Sequence, residues 1–321
     1  MEAVGRVDGP NPPSPLPNSG RGELPGRYPF RRGEGGRGVR STRLRLRIRP
    51  LRVAQYALLA LVVAVMDAPL LWMILSSLKP DSENSAYPPT FLPQTWTLQE
   101  YVDLFRISDY GSYLGNSAFL AVGATIATLV LATMAGYALT RFRLPLIQPI
   151  GEVALFAYLI PPILLLVPIA RLVAAAGLAN DRLALLIIYT ANMLPFGLWV
   201  LRAHFQGIAA DLEDAAMIDG CSRFGAFVRV IIPQAVPGLI SAGVFTFNAS
   251  WSEYLYASTL MNSPEKLTLS PGLALLMDQT GVYSWGVLMA GSVVMVLPVV
   301  LLFALAQHQL VGGRGEGAVK G

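Results

Sequence analysis

Charged residues and cysteine are scarce in this sequence. Asp, Glu, Lys and Arg make up 14% of its 321 residues, whereas hydrophobic residues make up 54%. Soluble domains carry roughly 25% charged residues, so the polar surface is too small to cover a soluble globule of this length. The single cysteine, Cys221, excludes an internal disulfide and a metal site built from cysteines. The composition therefore favours a chain whose apolar residues face lipid.

The motifs of common ATPases and hydrolases are also missing. A P-loop needs a lysine after a glycine-rich turn, so that it can reach the phosphates. Lys79, Lys266 and Lys320 are the only lysines, and none lies in such a loop. No G-x-S-x-G, H-E-x-x-H or paired-cysteine motif occurs either. We therefore expect no catalytic residue, no metal site and no cofactor in this chain, and any energy source other than an ion gradient must come from a partner.

Residues 1–50 differ from the rest of the chain because they are rich in Pro, Gly and Arg. Such a composition cannot bury enough apolar area to offset chain entropy, so we predict a disordered cytoplasmic tail over 1–50 and a membrane domain over 51–321. Twelve of the 24 Lys and Arg residues lie in residues 1–52. We expect this arm to be a positive-inside anchor rather than a nucleic-acid-binding arm, because it lacks interleaved aromatics and leads directly into an apolar segment.

Six apolar stretches follow, each of about 20 residues or more, which is enough to cross roughly 30 Å of hydrocarbon as a helix. They lie near residues 53–78, 113–139, 149–171, 183–204, 235–260 and 285–308. The predicted fold class is therefore an all-α membrane protein with six transmembrane helices. Pro161 and Pro162 should kink the third span.

The charges in the loops predict the orientation in the membrane. If the N-terminus is inside, the inner segments hold most of the arginines, from residues 40–52 through Arg141 and Arg223 to Arg314. The outer loop at 79–112 is instead acidic. This bias matches the positive-inside rule, so we predict a multi-pass membrane protein with both termini in the cytoplasm.

The long inner loop between the fourth and fifth predicted spans holds a short helix. Asp211 is a good N-cap residue, with Asp214 three residues later as a capping partner, and Gly220 is a good C-terminal stop. The predicted helix has about two turns, and Leu212 shares a face with the alanines at 215–216. Its small surface residues would let another protein approach the backbone closely.

The same loop resembles the cytoplasmic loop of the permease subunits of bacterial ATP-binding-cassette importers. That family's signature is Glu-Ala-Ala, three residues, Gly, nine residues, Ile, one residue, Leu-Pro. Here Asp-Ala-Ala occupies 214–216, Gly220 follows three residues later, and Val-Ile-Ile-Pro occupies 230–233. The spacing matches, with conservative changes at three positions. The Asp is one methylene shorter than the family's Glu, and Glu213 is an alternative source of that carboxylate.

The resemblance implies that this short helix is a coupling helix, which docks into a groove on an ATPase subunit. The residues expected to form the ATPase-coupling site are Asp211, Glu213, Asp214, Ala215, Ala216, Asp219, Gly220 and Arg223. Arg223 and Arg229 either contact acidic residues of the ATPase or are solvated positive-inside charges. The implied partners are a second, larger permease subunit, two ATP-binding-cassette ATPase subunits that bind ATP and Mg, and an extracytoplasmic solute-binding protein.

Other segments resemble the maltose-type carbohydrate permeases, and specifically the smaller of their two permease subunits. These segments are Asn116-Ser117, residues 135–145, residues 247–254 and residues 317–321. The resemblance covers about residues 53–321, and it implies that this chain forms half of a translocation pathway for a sugar.

A polar and aromatic cluster in the fifth predicted span is the candidate translocation pathway. Its members are Asn248, Ser250, Trp251, Ser252, Glu253 and Tyr254. Aromatic faces and hydrogen-bonding side chains suit a sugar, but the same residues fit helix–helix hydrogen bonds or an aromatic belt at the membrane surface. Asp67, in the first span, is costly in lipid, so it should face the bundle or a partner subunit, or be protonated.

Three functions remain open at this point. A subunit of an ATP-driven importer for a neutral sugar fits best. The spans carry almost no Arg or Lys for a phosphate, and only Asp67 and Glu253 as carboxylates for a polyamine. An importer for such a non-sugar solute is the first alternative. An ion-coupled secondary transporter is the second, although internal repeats and ionisable residues near mid-membrane would then be expected.

Overall fold

The computed structural model describes residues 50–142, 147–279 and 284–312. The predicted disordered tail lies outside the described residues, except for Pro50, as do residues 313–321. All regular secondary structure in the described ranges is helical, in agreement with the predicted all-α class.

Fourteen α-helices occur in the described residues, together with one π-helical turn and one 3₁₀ turn. The first seven are α1 (Pro50–Ser77), α2 (Asp81–Asn84), α3 (Gln99–Ile107), α4 (Tyr110–Arg141), α5 (Ile147–Tyr158), α6 (Pro162–Ala175) and α7 (Arg182–Gly207). The others are α8 (Asp211–Ile218), α9 (Arg223–Ala226), α10 (Ile232–Gln234), α11 (Val236–Trp251), α12 (Leu255–Leu260), α13 (Leu269–Gln279) and α14 (Trp285–Gly312). The π turn spans Phe227–Ile231, between α9 and α10, and the 3₁₀ turn spans Pro264–Lys266.

Four of these helices, α1, α4, α7 and α14, are long and apolar enough to cross a membrane. Two further pairs of helices meet the same test together, but each pair is bent. The chain turns by 106° between α5 and α6, and by 72° between the segment 223–234 and the segment 236–260. The described residues therefore hold four candidate spans, or up to six if each bent pair is one span.

The two bends lie close to prolines. Pro161 and Pro162 separate α5 from α6, where the sequence predicts a kink. Pro233 lies near the end of α10, and Pro237 lies in the first turn of α11. Proline removes a backbone donor and clashes with the preceding turn, so a helix readily ends or bends there. The third predicted span, 149–171, is accordingly two helices rather than one.

The core forms where α4 packs along α7 and α11. Small residues allow α4 and α7 to approach each other closely. A Cβ atom added to Gly197 of α7 would lie only 3.2 Å from side-chain atoms of Ala132 and Thr128 in α4, which is tighter than ordinary contact. Nearer the end of α4, Tyr137 joins Phe205 and Phe227 in a second cluster of buried apolar side chains. Small residues are the usual means by which membrane helices pack closely.

The motif Asn116-Ser117 ties three parts of the chain together. The Asn116 amide donates to the Leu267 carbonyl oxygen at 2.8 Å and accepts from Arg182 Nη1 at 2.8 Å. The Ser117 hydroxyl accepts from the Leu269 backbone N–H at 2.8 Å. Both side chains are buried. The motif therefore anchors the segment before α13 and the start of α7 to α4.

Helix α1 packs differently from the other long helices. Every side chain from 56 to 72 is exposed, and burial begins only near its end, at Ser76 and Ser77. The Ser77 hydroxyl lies 2.8 Å from the Tyr101 hydroxyl. Asp67 is among the exposed side chains, so within the described residues it does not face the helical bundle.

Candidate functional site

The N-cap of the short helix in the long loop lies one residue before the predicted position. The N-cap residue is Ala210, and its carbonyl oxygen accepts from the backbone N–H groups of Glu213 at 2.9 Å and Asp214 at 3.2 Å. Asp211 is therefore the first residue of α8, and the prediction that it caps the helix is wrong. Its carboxylate still lies in the first turn, where a negative charge suits the helix dipole.

The end of α8 is a Schellman motif. Gly220 has φ +91°, a left-handed conformation that glycine adopts without strain. Its N–H donates to the Met217 carbonyl oxygen at 3.1 Å, and the Cys221 N–H donates to the Ala216 carbonyl oxygen at 3.0 Å. This pair of bonds confirms the predicted stop at Gly220.

One face of α8 is exposed and combines acidic, small and apolar side chains. The exposed residues of the predicted coupling site in α8 and its end are Asp211, Asp214, Ala215, Asp219 and Gly220, while Ala216 is half-buried. Two large apolar side chains are also exposed, Ile218 of α8 at 86% and Phe224 of α9 at 75%. Exposed apolar side chains with a polar surround are typical of a surface that another protein covers.

Glu213 lies on the opposite side of α8 and is buried. Its Oε2 atom is 3.1 Å from Nε of Arg141, and its Oε1 atom accepts a hydrogen bond from the Tyr137 hydroxyl. Arg141 also donates from Nη2 to the Ile208 carbonyl oxygen at 3.0 Å. The structure thus places Glu213 beneath the helix, so its carboxylate is not presented on the exposed face.

Arg223 turns back toward the same cluster. Its Nε atom is 3.9 Å from Glu213 Oε1, and its guanidinium carbon is 5.4 Å from the ring centroid of Phe142. Arg229 is exposed in the π turn. Sequence reasoning missed Tyr137 and Arg141 as members of this site, although both lie in the segment 135–145 that carried part of the resemblance.

A second candidate site is a cavity of about 480 Å³ beside the break between α5 and α6. Its lining residues are Pro162, Ile163, Tyr189, Asn192, Met193, Ala249, Ser250, Glu253, Tyr254, Leu255 and Tyr256. Of the predicted pathway cluster, only Ser250, Glu253 and Tyr254 are among these described lining residues. The sequence analysis missed three other lining residues, Tyr189, Asn192 and Tyr256. A polar residue within an apolar stretch, as Asn192 is, could have indicated that this part of the chain lines the cavity.

The other members of the predicted cluster have local contacts instead. Trp251 is buried, its ring stacks on Phe247 with centroids 5.4 Å apart, and its Nε1 donates to the Met295 carbonyl oxygen at 2.9 Å. The Ser252 hydroxyl donates to the Asn248 carbonyl oxygen at 2.8 Å. Trp251 therefore packs in the core, between α11 and α14.

Two polar groups of the cavity differ in how they are bonded. The Glu253 carboxylate accepts from the Tyr189 hydroxyl at 2.8 Å and from the backbone N–H groups of Tyr256 at 2.7 Å and Ala257 at 3.1 Å, so it caps α12. The Ser250 hydroxyl is buried and has no hydrogen-bond partner among the described residues. A buried hydroxyl without a hydrogen-bond partner is uncommon in folded proteins.

Comparison with known protein families decides which kind of protein this is. Residues 128–311 match the family described as "Binding-protein-dependent transport system inner membrane component". That range includes α8, the Schellman motif and all the described residues that line the cavity. The chain belongs to this family of transport permeases.

Curated relatives extend the match along the permease. It is 35% identical over 272 residues to the inner membrane ABC transporter permease protein YcjP of Escherichia coli, covering 84% of this chain and 97% of that one. It is 32% identical over 275 residues to the trehalose transport system permease protein SugB of Mycobacterium tuberculosis, covering 84% and 98%. The matched family and these relatives agree with the resemblance that the loop motif carries.

The permease also shares its fold with a solved structure. A chain of a bacterial ABC transporter involved in the import of the acidic polysaccharide alginate aligns with a TM-score of 0.72, at 21% sequence identity. The alignment covers 81% of this permease and 96% of that chain. At this level of identity the likeness concerns the fold.

Proposed function

We propose that this permease is a subunit of an ATP-driven importer, that it forms half of the translocation pathway for a neutral sugar, and that it docks an ATPase subunit through α8. The observation that carries the proposal is the exposed face of α8, which holds Asp211, Asp214 and Ile218, together with the exposed Phe224 of the following helix α9. The sequence contains no P-loop, so ATP and Mg belong to the partner ATPase.

The small residues of α8 suit a docked helix. Ala215 and Ala216 add little bulk, so a groove on the ATPase can approach the backbone while Ile218 fills an apolar pocket. ATP-driven closure of two ATPase subunits then moves the docked helices and switches the permease pair between outward-facing and inward-facing states.

The proposed topology has six spans, with both termini in the cytoplasm. The bent pairs α5–α6 and 223–260 are each taken as one span, in addition to the four long helices. The apolar length of each pair and the excess of basic residues in the inner segments support this arrangement.

A second, larger permease subunit is the proposed cover for α1. An apolar helix that is exposed on all sides from 56 to 72 can pack on a neighbouring subunit as well as on lipid. Asp67 on that helix would then face the partner subunit, where a carboxylate costs less than in lipid. An extracytoplasmic solute-binding protein completes the proposed complex.

A neutral sugar is the substrate class that the cavity favours. Its described lining residues include three tyrosines, Asn192 and Ser250, but no Lys or Arg for an anionic solute. Among the relatives are transport system permeases for two neutral sugars, trehalose and diacetylchitobiose. The single carboxylate among the lining residues, Glu253, already accepts hydrogen bonds at the start of α12. The cavity therefore offers no free carboxylate among its described lining residues to bind a polyamine.

The decisive experiment is a pull-down from native membranes through a C-terminal tag. Wild-type permease should recover a second permease and an ATPase. Gly220→Pro should lose the ATPase, because proline cannot adopt φ +91° and its nitrogen cannot donate to Met217. Gly177→Pro is the matched control, since Gly177 also has positive φ, at the end of α6 and far along the chain from α8.

Either outcome is informative about the function. Loss of the ATPase in Gly220→Pro but not in Gly177→Pro supports docking through α8. Recovery of the wild-type permease alone, still moving solute in liposomes without ATP, would overturn the proposal in favour of a secondary transporter. Uptake assays with trehalose, glycerol 3-phosphate and spermidine then separate a sugar from the non-sugar alternatives.

A further inference from the structure

Three carboxylates lie in the first turn of α8, and they differ sharply in their surroundings. Asp211 and Asp214 are exposed, whereas the Glu213 side chain is only 6% exposed. A buried carboxylate is costly unless it is paired and hydrogen-bonded. The two exposed carboxylates have the position to contact a partner protein, so the buried one has a different task.

The partners of Glu213 come from the last turns of α4. Arg141 donates from Nε to Oε2 at 3.1 Å, and the Tyr137 hydroxyl donates to Oε1. Tyr137 and Arg141 are four residues apart, so they lie on one face of α4 and can both donate hydrogen bonds to the same carboxylate. Charge-assisted bonds of this kind are roughly twice as strong as neutral ones.

Arg141 extends the connection to a third segment. Its Nη2 atom donates to the Ile208 carbonyl oxygen at 3.0 Å, directly after α7. One guanidinium thus joins the end of α4, the end of α7 and the buried side of α8. Arg223 approaches the same carboxylate only to 3.9 Å and its side chain is 56% exposed, which makes it the weaker connection.

We propose that Glu213 is a positioning residue that transmits displacement of α8 to the ends of α4 and α7. The inference rests on the proposed function, in which α8 docks the ATPase. Because α4 packs along α7 and α11, a displacement of its end reaches helices that carry cavity residues such as Tyr189 and Ser250. Glu213 thereby couples ATP hydrolysis to transport without touching either the ATPase or the solute.

The test measures two quantities on the full complex in proteoliposomes, with ATP and the binding protein present. The first is the amount of ATPase recovered per permease, and the second is the solute transported per ATP hydrolysed. Glu213→Gln keeps the shape but removes the charge that Arg141 holds. We expect unchanged ATPase recovery and a decrease of about fivefold or more in transport per ATP, a size usual for coupling between sites.

Asp214→Asn is the matched control, because it removes the same charge one residue away on the exposed side of α8. It should lower ATPase recovery, the quantity that Glu213→Gln leaves unchanged. Arg141→Lys keeps the charge but cannot bond Glu213 and Ile208 together, so it should behave like Glu213→Gln.

Each outcome separates this inference from the proposed function. If wild-type permease recovers no ATPase, the proposed function itself fails. If wild type recovers it, and Glu213→Gln either transports normally per ATP or loses the ATPase, then Glu213 is not a transmitting residue. Tyr137→Phe removes one hydroxyl only, and it replaces Glu213→Gln in the test if the Glu213→Gln permease itself does not fold in the membrane. It should lower transport per ATP about twofold, and an unchanged value would overturn the inference.

Discussion

Glu213 and Asp214 are consecutive carboxylates that lie on opposite sides of α8, one buried against α4 and the other exposed. Successive residues of a helix point about 100° apart, so one residue along the chain is enough to exchange a docking surface for an internal contact. In the proposed function, the same carboxylate chemistry therefore serves two different tasks within one turn.

The exposed apolar side chain of Ile218 should dominate docking. We expect Ile218→Asp to reduce ATPase recovery by about tenfold or more, because an apolar anchor at the centre of an interface contributes roughly 2 kcal/mol or more. The thermal stability of the free permease should change little, since the side chain is 86% exposed. Val102→Asp, at an exposed apolar position on α3, is the control and should leave ATPase recovery intact. Equal losses in both variants would point to general misfolding.

Two carboxylates of the predicted outer segment should show opposite dependence on pH. Burial, together with the nearby Asp81 charge, raises the pKa of Glu100 above its ordinary value of 4.5, although the Ser284 hydroxyl donates to it. The Thr90 hydroxyl and the Gln94 backbone N–H donate to Glu83 and lower the pKa of that carboxyl.

The sign of each effect follows from proton binding. A raised pKa means that folded protein holds the Glu100 proton longer than unfolded protein, so ionisation destabilises the fold as pH rises above 4.5. Glu100→Gln should therefore raise the melting temperature by roughly 1–3 °C at pH 7.5 and by less at pH 4.5. Glu83→Gln should lower it at pH 7.5, and most of that difference should persist at pH 4.5, because it is lost only as the pH falls through the lowered pKa. Melting curves of the detergent-solubilised permease at both pH values check this, and shifts of equal sign would contradict it.

Substitutions at two neighbouring residues, Ser250 in the cavity wall and Trp251 in the core, should have different effects on solute uptake and on stability. Ser250→Ala should weaken solute uptake several-fold while leaving stability unchanged or slightly higher, because it removes a buried hydroxyl that has no partner among the described residues. Trp251→Ala should instead destabilise the fold by about 3–5 kcal/mol, because it removes a buried ring from the core. Uptake assays and melting curves of the two variants measure the difference, and normal uptake by a well-folded Ser250→Ala would remove Ser250 from the pathway.

The anchor at Asn116 should be needed for stability. Asn116→Ala removes the bonds to Leu267 and Arg182 and leaves buried groups unsatisfied, at a cost of about 2 kcal/mol. Gln99→Ala is the control, because its bond to Asp103 at 2.9 Å is exposed and contributes little. Limited proteolysis of the segment before α13 should speed up in Asn116→Ala alone. An unchanged melting temperature there would show that the anchor is dispensable.

Short-range patterns account for most of what the sequence predicted correctly. The apolar stretches predicted the ends of the long helices α4, α7 and α14 to within three residues. The exception is the end of α14, which extends to Gly312. Gly220 predicted the end of α8, since a left-handed residue is needed there. The start of α8 was missed by one residue, because Ala210 caps with its backbone alone and a side-chain pattern carries no sign of that.

The sequence by itself determined that this chain is an all-helical membrane permease, because apolar length, charge bias and motif spacing are properties of the chain taken in order. Only the tertiary structure decided that Glu213 meets Arg141, 72 residues away along the chain, and that Trp251 packs in the core while Ser250 faces a cavity. The direction in which a helical side chain points depends on the rotation of its helix about its own axis. Packing against helices distant in sequence sets that rotation, so it cannot be read from the neighbouring residues.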